Sequence, residues 1–138
     1  EYGDTKVEEI MTPAEEVDYV WIKDDFDTIC KKFVECNRSR MVVCKKKNLN
    51  SACGVIHGKD LFELVVKGDH DISKIIMDDD DIVIVRPGKK ISRCFKLLQS
   101  KHQHLAIVKE EKEVLGIVTM EDILEELVGE IRDENDEE

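Results

Sequence analysis

Gly116-Ile117-Val118-Thr119-Met120-Glu121-Asp122 has an altered second copy in the same chain, Gly54-Val55-Ile56-His57-Gly58-Lys59-Asp60. Each copy runs from an apolar strand into the start of a helix, and each closes a longer series. The first series is Phe26 to Phe33, Met41-Val42-Val43-Cys44, then the Gly54 stretch. The second is Ile91 to Leu98, Leu105-Ala106-Ile107-Val108, then the Gly116 stretch. The order is the same in both. Phe26 and Ile91 are 65 residues apart, Gly54 and Gly116 are 62 apart, so only loop lengths differ. A fixed-order recurrence of this kind is the mark of a tandem of two related units.

Within each unit the pattern reads helix, strand, strand, helix. Phe26, Ile29, Cys30 and Phe33 fall on one face of an amphipathic helix, which Asp25 or Asp27 can cap. Arg40–Lys45 and Cys53–Ile56 are strands about an Asn48-Leu49-Asn50-Ser51 turn, and Lys59–Val66 is a helix closed by Gly68. In the second unit Ile91–Ser100 is a helix with Ile91, Phe95 and Leu98 on one side. His104–Val108 and Val114–Val118 are strands about a charged turn, and Met120–Val128 is a helix ending at Gly129. A short helix and a strand precede each unit: Val7–Met11 then Val17–Ile22, and Ile72–Met77 then Ile82–Val85. The expected class is α/β (α+β). The expected division is a first unit at 1–70, a second at 71–129 and an acidic tail at 130–138. That tail holds six acids and one Arg and reads as a frayed or linking segment. Asp78-Asp79-Asp80-Asp81 reads as a solvated linker turn.

Composition narrows the function. The 138 residues suit one ordinary domain or two small ones packed together, and with 5% aromatics the core must be aliphatic. A 41% hydrophobic share excludes a disordered chain. A net charge of −11 argues against nucleic acid as a partner, because phosphate backbones would be repelled. No apolar run reaches the roughly 18–20 residues of a membrane span. The acidic, polar start Glu1-Tyr2-Gly3-Asp4 does not resemble a signal peptide. Cys30, Cys36, Cys44, Cys53 and Cys94 are odd in number and lack a C-x-x-C spacing, so they read as small apolar residues of a reducing compartment.

The Thr119–Asp122 corner admits two readings. In one, Thr119 is the N-cap of a helix and Asp122 returns to its amide, a capping box. In the other, free N–H groups and the positive helix end attract a phosphate, which the Thr hydroxyl binds, while the Asp accepts both hydroxyls of a ribose. Other candidates carry less. His102 and His104 would share one side of a strand without a third metal ligand, and Trp21 reads as core or interface. No Ser–His–Asp order, zinc motif or Gly-rich phosphate loop is present, and no carboxylate stands out as a general acid. The expectation is a protein that is not an enzyme.

The doubled corner resembles the nucleotide signature of the cystathionine-β-synthase (CBS) domain pair, or Bateman module: glycine, an apolar and a variable residue, Ser or Thr, two variable residues, then Asp. The second copy matches throughout. The first keeps Gly54 and Asp60 but has His57 at the hydroxyl position. More narrowly, the chain is similar to the CBS pair of the CorC/HlyC (hemolysin-C-like) transporter family. The similarity rests on Val7 to Pro13 with its Met-Thr-Pro, on Asn37 to Val43 (Val42 stands where the family has Pro), on His104 to Val108, and on Glu121 to Ile131.

The resemblance implies a fold of two CBS units related by a pseudo-two-fold axis, commonly assembled as homodimers. It implies an adenosine nucleotide, AMP or ATP, as the ligand, with Mg2+ accompanying a polyphosphate. By family role Asp122 holds the ribose and Thr119 a phosphate. Arg38, Ser39 and Arg40 reach the same cleft from the first unit, and Met41 and Val17 line the adenine. Arg38 and Arg40 also supply the positive charge that an anion needs on an acidic chain. The His57 and Asp60 cleft is expected to be unused. The parent proteins carry an upstream transmembrane domain and serve magnesium and cobalt efflux, so the fragment is expected at the cytoplasmic face of the cell membrane. Two other classes stay open: a constitutive dimerisation module without a ligand, and the regulatory part of a soluble enzyme.

Overall fold

A computed structural model describes residues 2–76 and 82–136. In chain order the helices and strands are α1 (Val7–Ile10), β1 (Thr12–Pro13), β2 (Tyr19–Trp21), α2 (Phe26–Cys36), β3 (Arg40–Cys44), β4 (Ala52–His57), α3 (Gly58–Lys67), β5 (Val83–Val85), α4 (Ile91–Ser100), β6 (Leu105–Glu110), β7 (Glu113–Thr119) and α5 (Met120–Asp136). The fold class is mixed α/β, as expected. The Asp78–Asp81 run lies outside the described residues.

Residues 18–82 form one compact unit. Its sheet has the order β2-β3-β4, with β2 parallel and β4 antiparallel to β3. Helix α2 forms because Asp25 caps it, accepting the Thr28 N–H at 2.8 Å, and it ends where Asn37 turns left-handed at φ 50°. Its buried Ile29 and Phe33 meet Val20, Met41, Val43, Ile56 and Leu61 in an aliphatic core. Gly68, at φ 69°, ends α3 as its position suggested.

The other unit comprises residues 1–17 and 83–138. Its sheet has the order β1-β7-β6-β5, with β5 parallel to β6 and the other pairs antiparallel. Val7, Val83, Val85, Ile91, Cys94, Leu98, Ala106, Val108, Val118 and Ile123 form its core. The repeat extends to irregularities: the β3–β4 register shifts between Val43 and Cys44, and the β6–β7 register shifts at the equivalent Val108 and Lys109.

The compact units are not bounded at residue 70, because the N-terminal segment packs with the C-terminal one. Thr12 and Pro13 pair with Ile117 and Gly116, and the Val7 N–H donates to the Lys89 carbonyl at 2.8 Å. Conversely Ile72, Ile75 and Ile76 pack on the core of the 18–82 unit. The helix expected to stop at Gly129 runs on to Asp136. A glycine inside a helix costs only about 1 kcal/mol, and Glu130, just beyond it, is held by Gly3 and Thr5.

Candidate functional site

Thr119 ends β7 and Met120 begins α5. The backbone turns sharply there because the Met120 N–H is taken by the His104 carbonyl at 2.8 Å, one residue before β6. Thr119 and Asp122 then cap each other. The Asp122 N–H donates to Thr119 Oγ1 and the Thr119 N–H donates to Asp122 Oδ2, both at 3.2 Å. This is the capping box. It uses one acceptor lobe of the carboxylate and one lone pair of the hydroxyl, so the hydroxyl keeps its proton to donate and Asp122 keeps further acceptor capacity. Both residues are half-buried, fixed in orientation yet reachable. The capping geometry thus leaves a hydroxyl donor and a carboxylate acceptor available at the start of α5.

The corresponding corner of the 18–82 unit has the same backbone and a different side chain. The Gly58 N–H donates to the Ser39 carbonyl, again at 2.8 Å, and Arg40 stands opposite His57 across β3 and β4. As N-cap of α3, His57 makes no side-chain capping bond. Asp60 lies in the first turn of α3. Substitution of one hydroxyl therefore removes the reciprocal cap while the fold persists.

The site residues anticipated from sequence fall on both units. Thr119, Asp122 and Val17 belong to the unit of residues 1–17 and 83–138, and Arg38, Ser39, Arg40 and Met41 to the unit of residues 18–82. Val17 is buried at the end of a 3-10 turn, its N–H donating to the Ala14 carbonyl. The Met41 side chain is buried in the aliphatic core. Arg38 and Ser39 are exposed and Arg40 is half-buried. Arg38 Nε lies 3.4 Å from Asp18 Oδ2, an exposed pair that contributes little and can be exchanged for another anion.

The two histidines are placed differently from the sequence expectation. His102 sits in a turn at φ 55°, and β6 starts only at Leu105, so His102 and His104 precede the strand and are exposed. Trp21 is half-buried at a sheet end. Its indole N–H donates to the Lys45 carbonyl, and the Lys47 ammonium stands 4.5 Å from its ring centre. Among the described residues no three His, Cys, Asp or Glu side chains gather as a metal site. Nor is any described helix long and apolar enough to cross a membrane. An open cavity of about 550 Å³ lies beside Val85, Arg86, Lys89 and Glu110. It is at the far end of β6 from the Thr119 corner, since Leu105 pairs with Thr119 and Glu110 with Glu113.

Known proteins resemble the chain over nearly all its length. A family model for the CBS domain matches residues 71–129. The magnesium and cobalt efflux protein CorC of Pasteurella multocida is 33% identical over the entire chain, which spans 46% of that protein. The CBS domain of a bacterial CNNM/CorC family Mg2+ transporter, solved in complex with ATP, superposes with a TM-score of 0.81 at 27% identity, covering 92% of this chain and 89% of that one. A CBS-domain pair with bound AMP from Klebsiella pneumoniae gives 0.78 at 25% identity, covering 91% of this chain and 99% of that one. The chain spans less than half the length of the curated relatives it matches.

Proposed function

Since this chain is a CBS-domain pair of the CorC (hemolysin-C-like) transporter family, we propose that it is the nucleotide-sensing regulatory module of a membrane ion transporter of the magnesium and cobalt efflux kind. The observation that carries this reading is the reciprocal pairing of Thr119 and Asp122. A hydroxyl donor and a carboxylate are set one helical turn apart at a helix N-terminus, where the dipole favours an anion. In this reading Asp122 accepts the ribose hydroxyls of AMP or ATP and Thr119 donates to a phosphate. Arg38 and Arg40 balance the phosphate charge, Ser39 adds a polar contact, and Val17 and the Met41 backbone border the adenine. Mg2+ arrives with a polyphosphate rather than on a protein ligand. The complexes of related CBS proteins with ATP and AMP support the choice of ligand.

The module acts by differential binding. The nucleotide stabilises whichever arrangement of the chain it fits best, and the shift cannot exceed the difference in affinity between arrangements. An attached upstream transmembrane domain at the cytoplasmic face receives that shift. Calorimetric titration of the wild type and Asp122→Ala with AMP and Mg-ATP tests the reading. Saturable binding of either nucleotide that Asp122→Ala removes supports it. A wild type that binds neither leaves the second reading, a ligand-free dimerisation module. That alternative is favoured by apolar side chains exposed on two helices: Phe62, Val65 and Val66 on α3, and Leu124, Val128 and Ile131 on α5.

A further inference from the structure

Glu130 occupies an unusual place on α5. Ile123 is fully buried and Leu127 packs on the same core, so residue 130 is where the buried stripe of this helix next falls. A carboxylate stands there instead of an apolar side chain, and its two oxygens are both used. Oε2 accepts the Gly3 N–H at 2.7 Å, and Oε1 accepts the Thr5 hydroxyl at 2.8 Å. One turn further on, Glu134 raises the pKa of Tyr2 above its ordinary 10.0, chiefly through hydrogen bonding. Residues 3–5 are thus fastened to α5 by two hydrogen bonds to the Glu130 carboxylate.

The same segment is fastened to α4 by its backbone. The Ile91 N–H donates to the Thr5 carbonyl at 2.8 Å and the Ser92 N–H to the Gly3 carbonyl at 3.3 Å. These are N–H groups of the first turn of α4, which has no side-chain N-cap. Gly3 is buried at φ 81°, and a Cβ there would come within 2.5 Å of the Ser92 Cβ. Only a glycine fits between the two helices.

We propose that Glu130 is a latch that couples the chain's N-terminal segment to the ligand corner at the other end of α5. The inference rests on the nucleotide reading of Thr119 and Asp122. Eight residues of one continuous helix, about 12 Å at 1.5 Å per residue, separate Asp122 from Glu130. A displacement or stiffening of α5 when a ligand engages Asp122 therefore reaches residues 2–5 through Glu130. The latch also explains why the acidic tail begins as ordered helix: its first carboxylate is a hydrogen-bond acceptor for another segment.

Amide hydrogen exchange over residues 2–6, with and without Mg-ATP, tests the coupling in wild type, Glu130→Ala and Thr5→Val. In wild type the segment is protected, and its protection changes when nucleotide binds. Glu130→Ala speeds exchange there by about tenfold or more, the weight of a bond to a charged acceptor. It removes the response to nucleotide while calorimetry still shows binding. Thr5→Val keeps the helix side chain intact and gives a smaller change in the same direction, so a poorly folding Glu130→Ala does not decide the matter. Unchanged exchange in a wild type that binds Mg-ATP overturns the latch and leaves the nucleotide reading standing. Absence of nucleotide binding overturns both.

Discussion

Gly116 and Thr12 approach so closely that a Cβ on the glycine would stand 2.2 Å from the Thr12 carbonyl oxygen. That contact seats β1 on β7, where Pro13 faces Gly116, and so holds the N-terminal segment in the C-terminal unit. A methyl group there cannot be accommodated without moving backbone. Gly116→Ala is expected to lose about 2–4 kcal/mol, measured by urea unfolding. Gly129 is the contrasting case. It sits within α5 with open space around its Cα, so Gly129→Ala is expected to raise stability by about 1 kcal/mol through helix propensity alone.

Thermal unfolding checks the ligand reading by a second route. A nucleotide present at about 100 times its Kd stabilises by about 2.7 kcal/mol, a rise in Tm of several degrees for a chain of this size. Asp122→Asn retains an oxygen that accepts the Thr119 N–H, so its unliganded Tm stays close to wild type. Its nucleotide-induced rise disappears, because an amide cannot accept two ribose hydroxyls as a carboxylate does. Arg38→Gln is expected to weaken binding and flatten its salt dependence, leaving Tm without ligand unchanged, since the Asp18 pair is exposed.

The exposed apolar faces predict self-association. Phe62, Val65 and Val66 recur at helical spacing on α3, and Leu124, Val128 and Ile131 do so on α5. Sedimentation of the wild type is expected to give a dimer. Phe62→Asp and Val128→Asp, which place charge on surfaces that are already exposed, are expected to shift it towards monomer with the fold intact. A wild type that sediments as monomer at all concentrations removes the ligand-free dimerisation reading.

The thiols divide by burial. Cys44 and Cys94 are buried, and desolvation pushes each thiol from the ordinary 9.0 up to about 11. Cys30, Cys36 and Cys53 are half-buried. Alkylation at pH 8 is expected to label the half-buried three first and to reach Cys44 and Cys94 only as the chain unfolds. The linkage follows in sign: above pH 9 the unfolded chain releases these two protons while the folded chain keeps them. Their contribution to stability is therefore whole below pH 9 and is lost as pH rises towards 11. Cys44→Ala with Cys94→Ala should flatten the alkaline limb of the stability curve.

Most of the architecture is legible in the sequence. The repeat, the Phe26–Phe33 and Ile91–Leu98 faces, the Asp25 cap and the Gly68 stop all depend on neighbours within one or two helical turns, which sequence displays directly. The Thr119–Asp122 corner was legible for the same reason, since both capping bonds span three residues. The His57 departure was visible too, as a substitution in the repeat.

Tertiary structure decided what joins segments far apart along the chain. That residues 1–17 complete the C-terminal unit depends on β1 pairing with β7, about a hundred positions away, and on Val7 filling the core around Ile123. Short apolar segments are compatible with many partners, and only the packed sheet selects one. The tail shows the same limit. By composition Glu130 is one acid among six, and its role appears only when the Gly3 amide and the Thr5 hydroxyl converge on its two oxygens. A charge run looks solvated in sequence because its hydrogen-bond donors come from the opposite end of the chain.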